Sequence, residues 1–133
     1  MNIEQAIKDF HEKYQLAYNG PARQLPADLQ GFRTKFMQEE FDEYKEAVES
    51  GDLEKQFDAL VDLVYVAVGT AYLQGFPFNA GFDMVQIANM SKVRALREED
   101  SKRGSTYDVV KPEGWKAPEL GLLIGAFHEK KMD

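Results

Sequence analysis

Phe57-Asp58-Ala59-Leu60-Val61-Asp62-Leu63-Val64-Tyr65-Val66 opens a stretch that runs on to Leu73 and is apolar on nearly every side of a helical wheel. A segment of this kind reads as a helix at the centre of a bundle. Its only charges are Asp58 and Asp62, four residues apart and therefore on one face. The stretch before it carries the same anomaly. Around Glu39-Glu40-Phe41-Asp42-Glu43, the residues Phe32, Phe36, Met37, Phe41, Tyr44, Ala47 and Val48 fill one broad arc of a helix. Glu40 and Glu43 fall inside that arc, with Glu39 and Glu46 at its border and Arg33 also within it. Ionised carboxylates at core positions are costly unless they are paired or bound to a metal. Arg33 is the one cation nearby for Glu40, Glu43, Asp58 and Asp62, so positive charge is missing. Mg²⁺ would supply it, with Mn²⁺ as a substitute, because it is a hard ion that takes carboxylate oxygens and shares its shell with substrate phosphates.

The turn between the two stretches brings them together. Ser50-Gly51-Asp52 is a tight link, and Asp52 can cap the following helix. A short link makes the two helices antiparallel neighbours. Glu43 and Asp58 lie at similar distances on either side of Gly51, so the carboxylates converge at one height of the hairpin.

The remaining chain is scaffold, or groups able to face this cluster. Asn2 can cap a first helix in which Ile3, Ile7, Phe10, Tyr14 and Tyr18 recur at helical spacing until Asn19-Gly20-Pro21. His11, in that helix, reads as a surface residue. A second helix is expected over roughly residues 29–50, and Gly75-Phe76-Pro77 stops the third. A fourth is expected from Phe78 or Asn79 to Leu96, with Phe82 in the core. Asn89 and Lys92 would lie on its apolar arc, as an amide and an ammonium facing a substrate. Residues 97–118 read as a long loop, with a short hairpin through Thr106 to Val110. The loop holds the one tryptophan, in Lys111-Pro112-Glu113-Gly114-Trp115. Trp115 is suited either to stacking on a base or to packing. Leu120, Leu123, Ile124 and Phe127 then mark a short amphipathic helix. The fold class expected is therefore all-α: an antiparallel four-helix core in one domain over residues 1–133.

Bulk properties narrow the function classes. The net charge of −7 disfavours nucleic acid or an anionic membrane as a partner through charge alone. The absence of cysteine removes thiolate chemistry and fits a cytoplasmic protein. No secretory signal is legible near the start, and the run Leu60 to Leu73 is short for a membrane span.

Taken together, Glu39-Glu40-x-x-Glu43, Asp58-Ala-Leu-Val-Asp62, Asn89-Met-Ser-Lys92 and Lys111-Pro-Glu-Gly-Trp115-Lys-Ala-Pro resemble the all-α NTP pyrophosphohydrolases, the MazG-like group, in a subgroup common in bacteria and phages. That group includes dimeric dUTPases and phosphoribosyl-ATP pyrophosphohydrolase; nothing in these residues marks a phosphoribosyl-ATP site in particular. The resemblance implies a homodimer or homotetramer and Mg²⁺-dependent cleavage of a nucleoside triphosphate to monophosphate and pyrophosphate, as in house-cleaning of nucleotide pools. It implies that Glu40 and Glu43 are the Glu-x-x-Glu ligands, Glu39 the accompanying glutamate and Asp62 the aspartate of Glu-x-x-Asp. The first glutamate of that second motif would fall at position 59, which is alanine here, with Asp58 as its substitute. Asn89 and Lys92 match nucleotide-contacting positions; Arg33, Lys111 and Trp115 complete the candidate substrate-binding set. Two other readings compete. A carboxylate-bridged di-iron bundle needs Glu-x-x-His motifs, and neither His11 nor His128 lies in one. A non-catalytic helical oligomerisation module of the same fold is kept open by Ala59.

Overall fold

A computed structural model describes residues 1–125. Four long helices account for most of it, so the all-α expectation holds. The chain forms two compact units, Met1–Phe78 and a second one from Asn79 onward.

The first unit begins with α1 (Ile3–Lys13), capped by Asn2, whose Oδ1 accepts the backbone N–H of Gln5 at 3.2 Å. The helix stops well before the expected Asn19-Gly20-Pro21. Gln15 takes a left-handed conformation (φ 60°), and the Leu16 N–H donates to the His11 carbonyl at 2.8 Å. This is a Schellman ending with glutamine in the place usual for glycine. Tyr18 therefore leaves the helical stripe and closes a linker instead. Its N–H donates to the Tyr72 hydroxyl (2.8 Å) and its own hydroxyl to the Pro21 carbonyl (2.6 Å). The linker passes so near Gly75 (φ 72°) that a Cβ there would stand 2.7 Å from the Pro21 carbonyl oxygen, which restricts the position to glycine.

α2 (Ala27–Ser50) and α3 (Leu53–Leu73) form the expected hairpin. Gly51 (φ 69°) ends the first, and Asp52 Oδ1 caps the second by accepting the Lys55 N–H at 3.0 Å. Gln56 reaches back to the Ala47 carbonyl, whereas Arg33 bonds to Val66 and Thr70. Partners therefore separate in opposite directions from the turn, as in an antiparallel pair. The residues buried along α2 are Arg33, Glu40 and Ala47, spaced by seven. They form the seam facing α3. α1 packs on α3 through Ile7 and His11.

α3 is not enclosed on all sides, contrary to the expectation of a central helix. Ala59, Val66, Val68, Gly69, Thr70 and Leu73 are buried, but Phe57, Leu60, Val61, Val64 and Tyr65 are exposed. Two neighbours, α1 and α2, cover only part of its circumference. By length and composition α3 could cross a membrane, although it carries Asp58 and Asp62.

The second unit is built on α4 (Phe78–Met90). This helix ends six residues before the expected Leu96, and Phe82 is exposed rather than core. The stop has a local cause. Ser91 turns back on the Ala88 carbonyl through both its N–H (3.2 Å) and its hydroxyl (2.7 Å), and the Lys92 N–H bonds to Asn89. The β-branched Val93 is then used in a strand. β1 (Val93–Arg94) pairs antiparallel with β2 (Val109–Val110), so the hairpin strand expected near Val110 has its partner where helix was expected. Between them, Asp108 accepts from Ser101 Oγ (2.7 Å) and Arg103 (2.8 Å), which ties down the polar loop. α5 (Gly121–Ile124) is one turn of the expected C-terminal helix. Phe127 lies outside the described residues.

Candidate metal and active site

Glu40, Glu43 and Asp62 each present a carboxylate oxygen, and these oxygens lie within 4.8 Å of one another. The helix hairpin delivers them: Glu40 and Glu43 share a face of α2, and Asp62 faces them from α3. Glu40 is 9 % exposed, Asp62 half-buried and Glu43 exposed. The Oε2 atom of Glu40 is buried with no hydrogen-bond partner. Burial, hydrogen bonding to Glu43 and repulsion from Glu43, then Asp62 and Asp58, push the Glu40 carboxyl up to about 7 from an ordinary 4.5. Burial and the charges of Asp58 and Glu43 raise Asp62 as well. Among the described residues, no Lys or Arg forms an ion pair with any of these four carboxylates. A buried acceptor without a donor, inside a cluster of three hard oxygen ligands, fits a divalent cation.

Asp58 is exposed and lies next to Asp62, but outside the group of three. Ala59 is buried (3 % exposed) against α2, at the position where the resemblance implies a glutamate. It lines an open cavity of about 470 Å³ with Glu43, Glu46, Ser50, Lys55 and Asp58. This space lies at the turn-proximal side of the cluster, bordered by acids and one lysine. Neither Glu46 nor Lys55 is a candidate ligand from the sequence, where Glu46 stands at the border of the apolar arc and only its position near the turn marks Lys55. Glu39 is exposed on α2 beside Glu40.

Arg33 does not neutralise the carboxylates. It is buried, with Nε donating to Thr70 Oγ1 (3.1 Å) and Nη2 to the Val66 carbonyl (2.8 Å). His11 is also buried, which corrects its reading as a surface residue. Its Nδ1 is 2.8 Å from the Ile7 carbonyl oxygen, and its ring lies 4.6 Å from that of Tyr72. Aromatic neighbours on α1 and α3 made this an interior position that a helical wheel of α1 alone does not reveal. Burial lowers the His11 pKa, a lowering opposed by the Ile7 hydrogen bond and helped by the Arg33 charge.

The other candidates lie in the second unit. Asn89 is exposed at the end of α4, and Lys92 follows the helix rather than facing inward from it. Lys92 Nζ is 5.3 Å and Lys111 Nζ 5.0 Å from the centre of the Trp115 ring. Trp115 is half-buried, and its Nε1–H donates to the Ala88 carbonyl at 2.7 Å. The structure thus gathers Lys92, Lys111 and Trp115 into one cationic aromatic cluster, with Asn89 one residue from its anchor.

The family profile described as phosphoribosyl-ATP pyrophosphohydrolase (PRA-PH) matches residues 7–89. The chain belongs to this family. It is thereby a member of the MazG-like pyrophosphohydrolase superfamily, whose members hydrolyse phosphoric anhydrides of nucleotides. The profile found is that of the member for which the residues alone gave no specific mark. The matched span takes in Arg33, all five candidate carboxylates and Asn89, and stops before Lys92, Lys111 and Trp115. A search of curated proteins gave no match.

Proposed function

We propose that the protein is a Mg²⁺-dependent nucleoside triphosphate pyrophosphohydrolase converting an NTP or dNTP to the monophosphate and pyrophosphate. The observation that carries this reading is the unpartnered Oε2 of buried Glu40 among Glu43 and Asp62. Glu40, Glu43 and Asp62 would hold the metal, with Asp58 beside them. When bound, Mg²⁺ would supply positive charge to the polyphosphate oxygens and make the attacking water more acidic. Glu39, exposed on α2 and adjacent in sequence to Glu40, is the proposed acceptor of a proton from the attacking water. Water then adds at the α-phosphorus as the bond to the bridging oxygen breaks, and pyrophosphate leaves. The carboxylates fix the site's geometry from two helices rather than loops, which favours preorganisation.

For the nucleotide, the proposed contacts are Asn89, Lys92, Lys111 and Trp115. Two ammonium groups beside one indole suit an anion that carries an aromatic ring. Arg33, bonded to α3, contributes through structure.

A homo-oligomer is part of the same proposal. Met1, Ile3, Ala6, Ile7, Leu60, Val61, Val64 and Tyr65 line an almost wholly apolar groove of about 510 Å³ along α1 and α3. A second copy of the chain is its proposed occupant, since α3 is otherwise left half-covered. A nucleotide-pool role in the cytoplasm follows from this reading.

A second substrate reading has its own support: the matching profile names phosphoribosyl-ATP. Pyrophosphate release from NTPs, dNTPs and phosphoribosyl-ATP, assayed side by side with Mg²⁺, tests both. Turnover of the first two classes supports the proposal. Exclusive turnover of phosphoribosyl-ATP replaces it, and no turnover of any leaves the non-catalytic module to which Ala59 points.

A further inference from the structure

Arg33 presents a puzzle that the proposed chemistry does not use. It is 8 % exposed, yet among the described residues it makes no ion pair. A buried guanidinium is expensive, and an apolar side chain of similar volume is often at least as stabilising. Its partners explain why a fork of donors stands there. Nε donates to Thr70 Oγ1 at 3.1 Å, and Nη2 donates to the Val66 carbonyl at 2.8 Å. Thr70 Oγ1 in turn donates to that same carbonyl at 2.8 Å. Three hydrogen bonds close a ring between one side chain of α2 and one turn of α3. The space for it is kept by Gly69, where a Cβ would stand 2.8 Å from Arg33 Nη2.

The ring lies close to the carboxylates along the hairpin. Arg33 is seven residues before Glu40 on α2, and Val66 is four residues after Asp62 on α3. The turn at Gly51, the Asp52 cap and the Gln56 bond to the Ala47 carbonyl tie the two helices on one side of the carboxylates, and the Arg33 ring ties them on the other. Without the tie at Arg33, the ends of α2 and α3 away from the turn are free to splay or twist, which moves Glu40 and Glu43 away from Asp62, the three meeting only within 4.8 Å. A planar fork fitted to one hydroxyl and one carbonyl admits a single placement of the two helices.

We infer that Arg33 is a positioning residue: with Thr70 and the Val66 carbonyl it sets the placement of α2 on α3 at which the three carboxylates meet, and it does not touch the nucleotide. The inference rests on the metal-site reading above. It extends that reading to a clamp of neutral acceptors lying outside the ligand set.

The test is a Mn²⁺ titration followed by electron paramagnetic resonance, with the metal alone, on the full chain and on Arg33→Met, Arg33→Lys, Thr70→Val and Gly69→Ala. Pyrophosphate release is measured in parallel. Arg33→Met is expected to weaken Mn²⁺ binding about tenfold, as for groups that orient metal ligands, and Thr70→Val about threefold. Arg33→Lys behaves like Arg33→Met, because one ammonium does not reproduce the fork. Gly69→Ala weakens binding when Arg33 is present and adds nothing to Arg33→Met. At saturating Mn²⁺, KM for the nucleotide stays within about twofold of the parent while kcat falls. If Arg33→Met does not fold, Thr70→Val and Gly69→Ala carry the test by the same criteria. Parent protein that binds Mn²⁺, with Arg33→Met and Thr70→Val binding it equally well, overturns the inference alone; a raised KM in those variants would assign Arg33 to the substrate instead. Parent protein that binds no Mn²⁺ overturns the metal-site reading and the inference with it.

Discussion

Glu40 and Asp62, on facing helices of one hairpin, bring carboxylate oxygens within 4.8 Å of each other, and the pKa values of both are raised. Two like charges held this close, one of them buried, oppose folding. Their placement is understandable as a ligand pair, because a site arranged for a cation is strained without one.

The first prediction follows from that strain. In EDTA, Glu40→Gln should raise the melting temperature, on the order of 5 °C, because it removes a buried charge while preserving shape. The same variant should lose the stabilisation that the parent gains from Mg²⁺ or Mn²⁺. Thermal denaturation with and without metal checks both halves. A Glu40→Gln variant that is destabilised in EDTA would contradict the reading.

The pH dependence has a definite sign. Without metal, the Glu40 carboxyl ionises near pH 7 in the folded chain and near its ordinary 4.5 when unfolded. Folding therefore takes up a proton between these values, and stability falls as pH rises from about 4.5 through 7. Asp62, also raised, acts in the same direction. His11 acts oppositely, because its lowered value makes the folded chain lose stability as pH falls below its ordinary 6.5. Melting temperatures in EDTA across pH 5–8 should fall less steeply in Glu40→Gln, the remaining slope being that of Asp62. Saturating Mg²⁺ should turn the parent's slope upward, since metal binding needs ionised carboxylates.

The exposed apolar side of α3 gives a third prediction. Val64→Asp or Leu60→Asp should convert an oligomer to a monomer in light scattering, with helix content retained by circular dichroism. A charge placed in an apolar interface costs several kcal/mol, roughly a thousandfold or more in association. A parent protein that is already monomeric would remove the second copy from the proposal.

Trp115 offers a fourth. As the single tryptophan, 5.0 and 5.3 Å from two ammonium groups, it reports on its own cluster. Its fluorescence should change on adding a slowly hydrolysed nucleotide analogue. Trp115→Phe gives up the bond to the Ala88 carbonyl and should cost about 1 kcal/mol of stability. It should raise KM more than it lowers kcat. Unchanged fluorescence and KM would leave Trp115 as a packing anchor.

Much of the architecture was legible because it rests on local chemistry. Gly51 and Asp52 fix the α2–α3 turn, and carboxylates at apolar positions mark Glu40, Glu43 and Asp62 in the sequence, together with Asp58, which lies outside the group of three. The misreadings share a different cause. The stop of α1 at Gln15 and of α4 at Met90 depends on backbone bonds to His11 and Ala88 that helical periodicity does not encode. The helical wheel sets Arg33 in the same apolar arc as Glu40 and Glu43, and only its tertiary partners, Val66 and Thr70, show where its donors go. Likewise, an all-round apolar α3 reads as a central helix, although among the described residues α1 and α2 leave Phe57, Leu60, Val61, Val64 and Tyr65 exposed.

Pyrophosphate release from NTPs, dNTPs and phosphoribosyl-ATP with Mg²⁺, using the parent chain beside Glu43→Ala and Asp62→Ala, tests the central claim most directly. The account predicts a nucleoside monophosphate and pyrophosphate as products from NTPs or dNTPs. It also predicts at least a hundredfold loss, roughly 3 kcal/mol of barrier, in each variant. Equal turnover in parent and variants would contradict it, as would a parent chain that releases no pyrophosphate and whose melting temperature does not respond to Mg²⁺ or Mn²⁺.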